Sequence, residues 1–208
     1  MLALDHVIVV VEDLDTTARR YDDELGLASV AGGRHGGHGT GNRIVPLGES
    51  YIELMAVVDR DEAATSAVGS WVLRRLAVVG EAPAALCLRT DDAQVVAERI
   101  GRPPLAMSRT RPDGVRLDWE LVGLDAAFAE GLPFFIQWHV AEADHPGRQQ
   151  VEHRSGAVGI DWVELGGDRD RLAEWLGPHE LPLRLVDEAP GPRRVGVANA
   201  GGSPVVIG

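Results

Sequence analysis

Three times along the chain, an apolar run meets an acidic residue, an amphipathic helical turn, a glycine and then further strand-like runs. The first unit opens with "LDHVIVVVE", a β-branched run suited to a buried strand. "DLDTTARRYDDELGL" follows, in which Asp13 or Asp15 can cap a helix, Ala18, Tyr21, Leu25 and Leu27 supply an apolar face, and Gly26 stops it. "RIVPLG" and "SYIELMAVV" are then strands. The second unit repeats the order in "AALCLRTDDAQVVAERIG", a hairpin "LAMSRT-RPDG-VRLDWELVG" with a Pro-Asp-Gly turn, and "LPFFIQWHV". A fainter third copy is "AVGIDWVELGGDRDRLAEWLG" followed by "PLRLVDE", "RRVGVAN" and "SPVVIG". A period of roughly 75 residues is too long for a solenoid and indicates repeated supersecondary modules. The expected organisation is a first module at 1–58, a helical connector at 59–82, a second module at 83–140, a linker at 141–155 and a partial third module at 156–208.

Composition removes several function classes. The 20 basic side chains are all arginine, so no lysine is available for Schiff-base chemistry or for anchoring pyridoxal. A formal net charge of −12 argues against nucleic acid and anionic membrane surfaces as partners. No stretch reaches the roughly 18 apolar residues of a membrane span. The N-terminus lacks a basic n-region and carries Asp5 inside its apolar part, which predicts a cytoplasmic chain without a leader. The single cysteine, Cys87, excludes an internal disulfide framework and is expected as a small buried hydrophobe. No nucleotide-binding glycine motif or serine-nucleophile motif sits in the required strand–helix setting.

Alternation along the strands sorts the candidate chemistry. Tyr51, Glu53 and Met55 share one face, His6 lies with Ile8 and Val10, and Phe135, Gln137 and His139 share another face. Between the first helix and "YIEL" lies "GGRHGGHGTGN", where Gly36, Gly37, Gly39 and Gly41 predict a mobile loop able to close over a ligand. His145 and His179 sit in turn-like segments and are expected to face solvent, as are Asp118 and Glu120. Trp119, Trp138, Trp162 and Trp175 are expected in the core or between modules. The third module, with Asp161 and Glu164 but no strand histidine, is expected to be structural, either capping the cavity or pairing across a dimer.

"LDHVIVVVEDL", the G-G-x-H-x-G-x-G-T-x-N loop and "YIEL" resemble the glyoxalase-like branch of the vicinal oxygen chelate superfamily, and "LPFFIQWH" resembles the matching strand of a second unit. The resemblance implies an α+β fold of repeated βαβββ modules whose curved mixed sheets form a cupped, barrel-like cavity. It also implies a divalent metal ion bound by the first-strand histidine and last-strand glutamate of each module, acting as a Lewis acid on a substrate with adjacent oxygens. Carried over, those positions fall on His6 and Glu53 in the first module, and on Gln137 and a residue near Ala84 or Ala85 in the second. His139 or His35 could supply the missing ligand, for an ion such as Mn, Fe, Ni or Zn. Without a metal, Glu53 is the general base and His6 or His35 the acid or oxyanion donor. His35, Thr40 and Asn42 match the loop and Tyr51 shares the Glu53 face, giving substrate-binding candidates Thr40, Asn42, Tyr51 and Gln137, whereas His38 falls where the loop has no requirement and is expected to be solvated. Two functions stay open: an enzyme of lyase, isomerase or ring-opening dioxygenase type, or a non-catalytic protein that sequesters a drug or metabolite. The partner is a small molecule, with homodimerisation expected.

Overall fold

The computed structural model describes every residue except Pro112 and Ser203, so the predicted Pro-Asp-Gly turn lies partly outside the described residues. The first unit contains β1 (Leu2–Val10), α1 (Leu14–Leu25), β2 (Val30–His35), β3 (Thr40–Leu47) and β4 (Ser50–Val57). Helices α2 (Arg60–Thr65) and α3 (Ala67–Val79) connect it to β5 (Ala82–Thr90), α4 (Ala93–Ile100), β6 (Leu105–Thr110), β7 (Arg116–Val122), α5 (Leu124–Glu130) and β8 (Phe134–Trp138). The last unit is β9 (Ala157–Gly166), α6 (Arg169–Leu176), β10 (Leu183–Val186), β11 (Gly191–Asn199) and β12 (Val205–Ile207). No helix among the described residues is long and apolar enough to cross a membrane.

The helix starts follow local chemistry. Asp13, Asp92 and Asp168 each accept a hydrogen bond from the backbone N–H three residues on, at 2.7, 3.0 and 2.8 Å, satisfying a donor that the first helical turn leaves unpaired. Gly26 and Gly101 then end α1 and α4 in the left-handed region.

The first two units share one curved eight-stranded sheet in the order β2-β3-β4-β1-β5-β8-β7-β6. Each unit contributes four neighbouring strands, and the antiparallel β1–β5 pair joins them at the centre. Curvature brings the outer strands β2 and β6 together, where Arg109 of β6 donates to the carbonyl of Gly32 on β2. The glycine-rich segment is thus no mobile lid. It forms the β2–β3 hairpin, with His35 paired to Thr40 across the turn.

The sheet has two apolar faces with different coverings. Val7, Ile52, Leu54, Leu86, Leu88 and Phe135 meet α1, α4 and the third unit on the outer face. The third unit forms a second sheet, β10-β9-β11-β12, stacked there, so it backs the large sheet and does not cap the cavity. Trp175 of α6 fixes that packing by donating from Nε1 to the carbonyl of Pro133 at 2.7 Å. On the concave face, Ile8, Val10, Met55, Cys87, Phe134 and Ile136 pack with α3 and α5, whose Trp71 and Phe128 rings stack at 4.5 Å. Cys87 is buried, and burial pushes its thiol pKa well up.

Candidate active site

The concave face lines a partly open cavity of about 90 Å³. Its polar groups come from the first unit except for Arg109 of β6, and its apolar ones largely from the second, together with α3 and α5. Strand parity explains the polar side: His6 and Ile8 on β1, and Tyr51, Glu53 and Met55 on β4, all line it.

Glu53 is the centre of this arrangement, 6 % exposed. Asn42 Nδ2 donates to its Oε1 at 2.6 Å. His6 Nε2 lies 3.5 Å from Oε2, and His35 Nε2 lies 3.7 Å from Oε1. Gly32 leaves room for the Asn42 carboxamide, because a Cβ at Gly32 would come within 2.0 Å of Asn42 Oδ1. One glycine of the segment therefore serves close packing behind the carboxylate.

His6 is positioned from behind by a buried network. Its Nδ1 is 2.7 Å from Asp5 Oδ1, while Asp5 Oδ2 accepts from Trp138 Nε1 at 2.9 Å and His145 Nε2 at 3.1 Å. The N–H of Gly147 donates to His145 Nδ1, which leaves the Nε2 proton for Asp5. Burial acts to raise the Asp5 pKa, but hydrogen bonds from His145 and His6 and their charge overcome it and hold the carboxyl well below its ordinary range. With His6 Nδ1 bound to that carboxylate, its Nε2 is the nitrogen presented to Glu53. The Tyr51 ring stacks on His6 at 4.5 Å and holds the imidazole plane.

Sequence reasoning placed several residues differently. Thr40 is fully buried behind His35, its Oγ1 2.9 Å from His35 Nδ1, and orients that ring. His38 lines the cavity with its Nδ1 buried and unpartnered, so it is no solvated residue. His145 is buried at 3 % exposure, not solvent-facing. Trp119 and Trp138 line the cavity, as does Trp71, whereas Trp175 is core. Gln137 points to the outer face, where its Oε1 accepts the N–H of Ala93 at the start of α4 at 2.7 Å. His139 follows the end of β8 and pairs on the surface with Glu120 at 2.9 Å. Phe134, Ile136 and Trp138 occupy the cavity face of β8 instead.

The four-ligand metal set expected from two modules therefore does not assemble. By spacing, Asp5, His6 and Cys87 form a candidate metal-binding cluster, with ligating atoms within 4.8 Å of one another. Its donors are already committed: both Asp5 oxygens accept hydrogen bonds, His6 Nδ1 serves one of them, and burial keeps the Cys87 thiol protonated. A metal ligand thiol is deprotonated, so this cluster does not fit a divalent ion as it stands.

Comparison with known proteins agrees with this architecture. A crystal structure of a hypothetical protein from Staphylococcus aureus superposes with a TM-score of 0.67 at 17% identity, covering 91% of this chain and 88% of that one. Methylmalonyl-CoA epimerases from Mycobacterium tuberculosis and Streptomyces coelicolor give TM-scores of 0.47 and 0.48 at 22% and 21% identity. Both cover 66% of this chain, and 87% and 97% of their own. No curated protein matches the sequence. The family profile of the glyoxalase-like domain matches residues 4–181, and the chain belongs to that family, within the vicinal oxygen chelate superfamily.

Proposed function

We propose that this protein is a small-molecule enzyme that moves a proton on a substrate with neighbouring oxygens, with Glu53 as general base. The observation that carries this reading is the buried Glu53 carboxylate, flanked by His6 and His35 at 3.5 and 3.7 Å and facing an apolar cavity. Asn42 occupies Oε1, leaving Oε2 as the oxygen that accepts a proton from the carbon beside a substrate carbonyl. The electron pair of that C–H bond passes to the carbonyl oxygen, and the Nε2–H of His35, whose Nδ1 accepts from the Thr40 hydroxyl, stabilises the enolate. His6, its Nδ1–H given to Asp5, turns its Nε2 lone pair to the site. Return of a proton to the opposite face of the same carbon gives epimerisation, and return to the neighbouring carbon gives isomerisation. The chain's own side chains supply this step, and the donors of the Asp5–His6–Cys87 cluster are committed to other partners. Elemental analysis of the purified protein beside Glu53→Ala tests the metal-assisted alternative, which a stoichiometric Mn, Fe, Ni or Zn ion lost in the variant would support.

A second reading, sequestration without turnover, is favoured by one observation: the second unit offers mostly apolar side chains to the cavity. The two readings separate in D₂O. With a panel of 2-oxo acids and α-hydroxy ketones, the wild type is expected to accelerate deuterium uptake at carbon, and Glu53→Gln to lose about 10²–10⁴-fold of that rate. Stoichiometric binding with no exchange by the wild type overturns the enzyme reading.

A further inference from the structure

Two features of the cavity lie outside the proton-transfer machinery. One is aromatic: Trp71 and Phe128 stack at 4.5 Å with planes 24° apart, and Trp119 and Trp138 meet at 5.4 Å. All four line the same cavity as Glu53. Trp138 spends its N–H on Asp5, so what it offers a ligand is ring surface.

The other feature is Arg109, the one guanidinium lining this wall. Its Nη1 donates to the carbonyl of Gly32, closing the seam between β6 and β2. A guanidinium has five N–H donors in a planar fork, so one backbone bond leaves most of them free. Although the chain has 32 acidic residues, none lies within 4.0 Å of Arg109 among the described residues. A cation lining the cavity without a carboxylate partner is a ready partner for a ligand's anion, and its fork matches a carboxylate bidentately.

We infer that the cavity takes an anionic aromatic molecule, its ring against Trp71, Phe128, Trp119 and Trp138 and its carboxylate on Arg109. This rests on the proposed proton-transfer site, which supplies the reacting end, and names the class of molecule brought to it. Arg109 reaches the cavity across the β6–β2 seam, where its charge acts on His35 as that of Glu53 does, so a ligand anion held by the cation stands on the same lining as the base. An aryl-substituted 2-oxo acid has these parts: a ring, an enolisable carbon, adjacent oxygens and a carboxylate.

Isothermal titration with phenylpyruvate, 2-oxohexanoate and phenylacetone separates the contributions, since the second lacks the ring and the third the charge. Phenylpyruvate is expected to bind at least about tenfold tighter than either, as charge-assisted bidentate contact and ring packing require. Arg109→Gln is expected to erase its advantage over phenylacetone. Equal binding of 2-oxohexanoate, an undiminished advantage in Arg109→Gln, or binding of none of the three overturns the inference. Should Arg109→Gln fail to fold, the three-ligand comparison on the wild type still decides. Deuterium exchange keeps the two claims apart. Phenylpyruvate bound without exchange overturns the proton-transfer reading and leaves the ligand class standing, whereas exchange confined to aliphatic substrates overturns the ligand class alone.

Discussion

Replacing Asp5 with asparagine keeps the side chain's size and removes its charge. The native carboxylate is fully buried and accepts hydrogen bonds from His6 Nδ1, Trp138 Nε1 and His145 Nε2. An asparagine can accept with its carbonyl only, and its amide N–H groups then face donors on the other side. At least one buried N–H loses its acceptor. Removing one member of a buried ionic network costs roughly 3–5 kcal/mol. In a chain of this size each kcal/mol lowers Tm by about 2–4 °C, so Asp5→Asn is expected to lower Tm by at least about 6 °C at pH 7. The pH dependence has a fixed sign. A carboxyl whose folded pKa is depressed contributes stability above its unfolded value, and loses it as pH falls through the folded value. The gap between wild type and variant should therefore narrow below pH 3.8, the ordinary value for the group. Thermal unfolding followed by circular dichroism from acid to neutral pH measures both quantities. A fall under about 2 °C at neutral pH, or a gap that does not shrink in acid, refutes the ionic network as described.

Two further outcomes follow from the site and its hairpin. Burial, first of all, depresses the His35 pKa below 6.5, with Glu53 opposing and Arg109 and His38 assisting. The unfolded chain then binds the extra proton, so stability should fall as pH drops below 6.5, and His35→Gln should flatten that slope in urea titrations at several pH values. Gly39 (φ +62°) has the backbone of Asp59 and Ala63 within 2.3–2.8 Å of where a Cβ would sit, while Gly37 (φ +77°) has nothing within 4 Å. Gly39→Ala should thus cost more than about 2 kcal/mol and Gly37→Ala about 1–2 kcal/mol, the left-handed penalty alone. Equal losses on thermal unfolding would show that the hairpin does not rest on α2.

Much of the fold was legible because its signals are local. Three aspartate caps need only a carboxylate beside the first turn, and β1 and β4 announce their cavity faces by period-2 alternation, which grouped Tyr51 with Glu53 and Met55. Helix α5 escaped notice for the converse reason: it has seven residues, a glycine at each end and no side-chain cap. The glycine-rich hairpin misled because glycine signals freedom in a sequence and close approach in a packed structure. Here, Gly32 makes way for Asn42 and Gly39 for α2.

The misplaced site residues show a different limit. Alternation put Phe135, Gln137 and His139 on one face of β8, but which face meets the cavity depends on register with a strand 47 residues away. Cys87 pairs with His6 on one side and with Phe134 on the other, so Phe134 falls in the row of His6 and Gln137 in the opposite one. Facing outward, Gln137 meets an unpaired N–H of α4 and serves it. The buried partner of Asp5 had a signal that alternation does not carry. A carboxylate inside an apolar strand cannot be buried alone, so it must recruit donors from elsewhere in the chain. Asp5 stood in such a run, and His145, 140 positions on in a polar linker, is one of the donors that answers it.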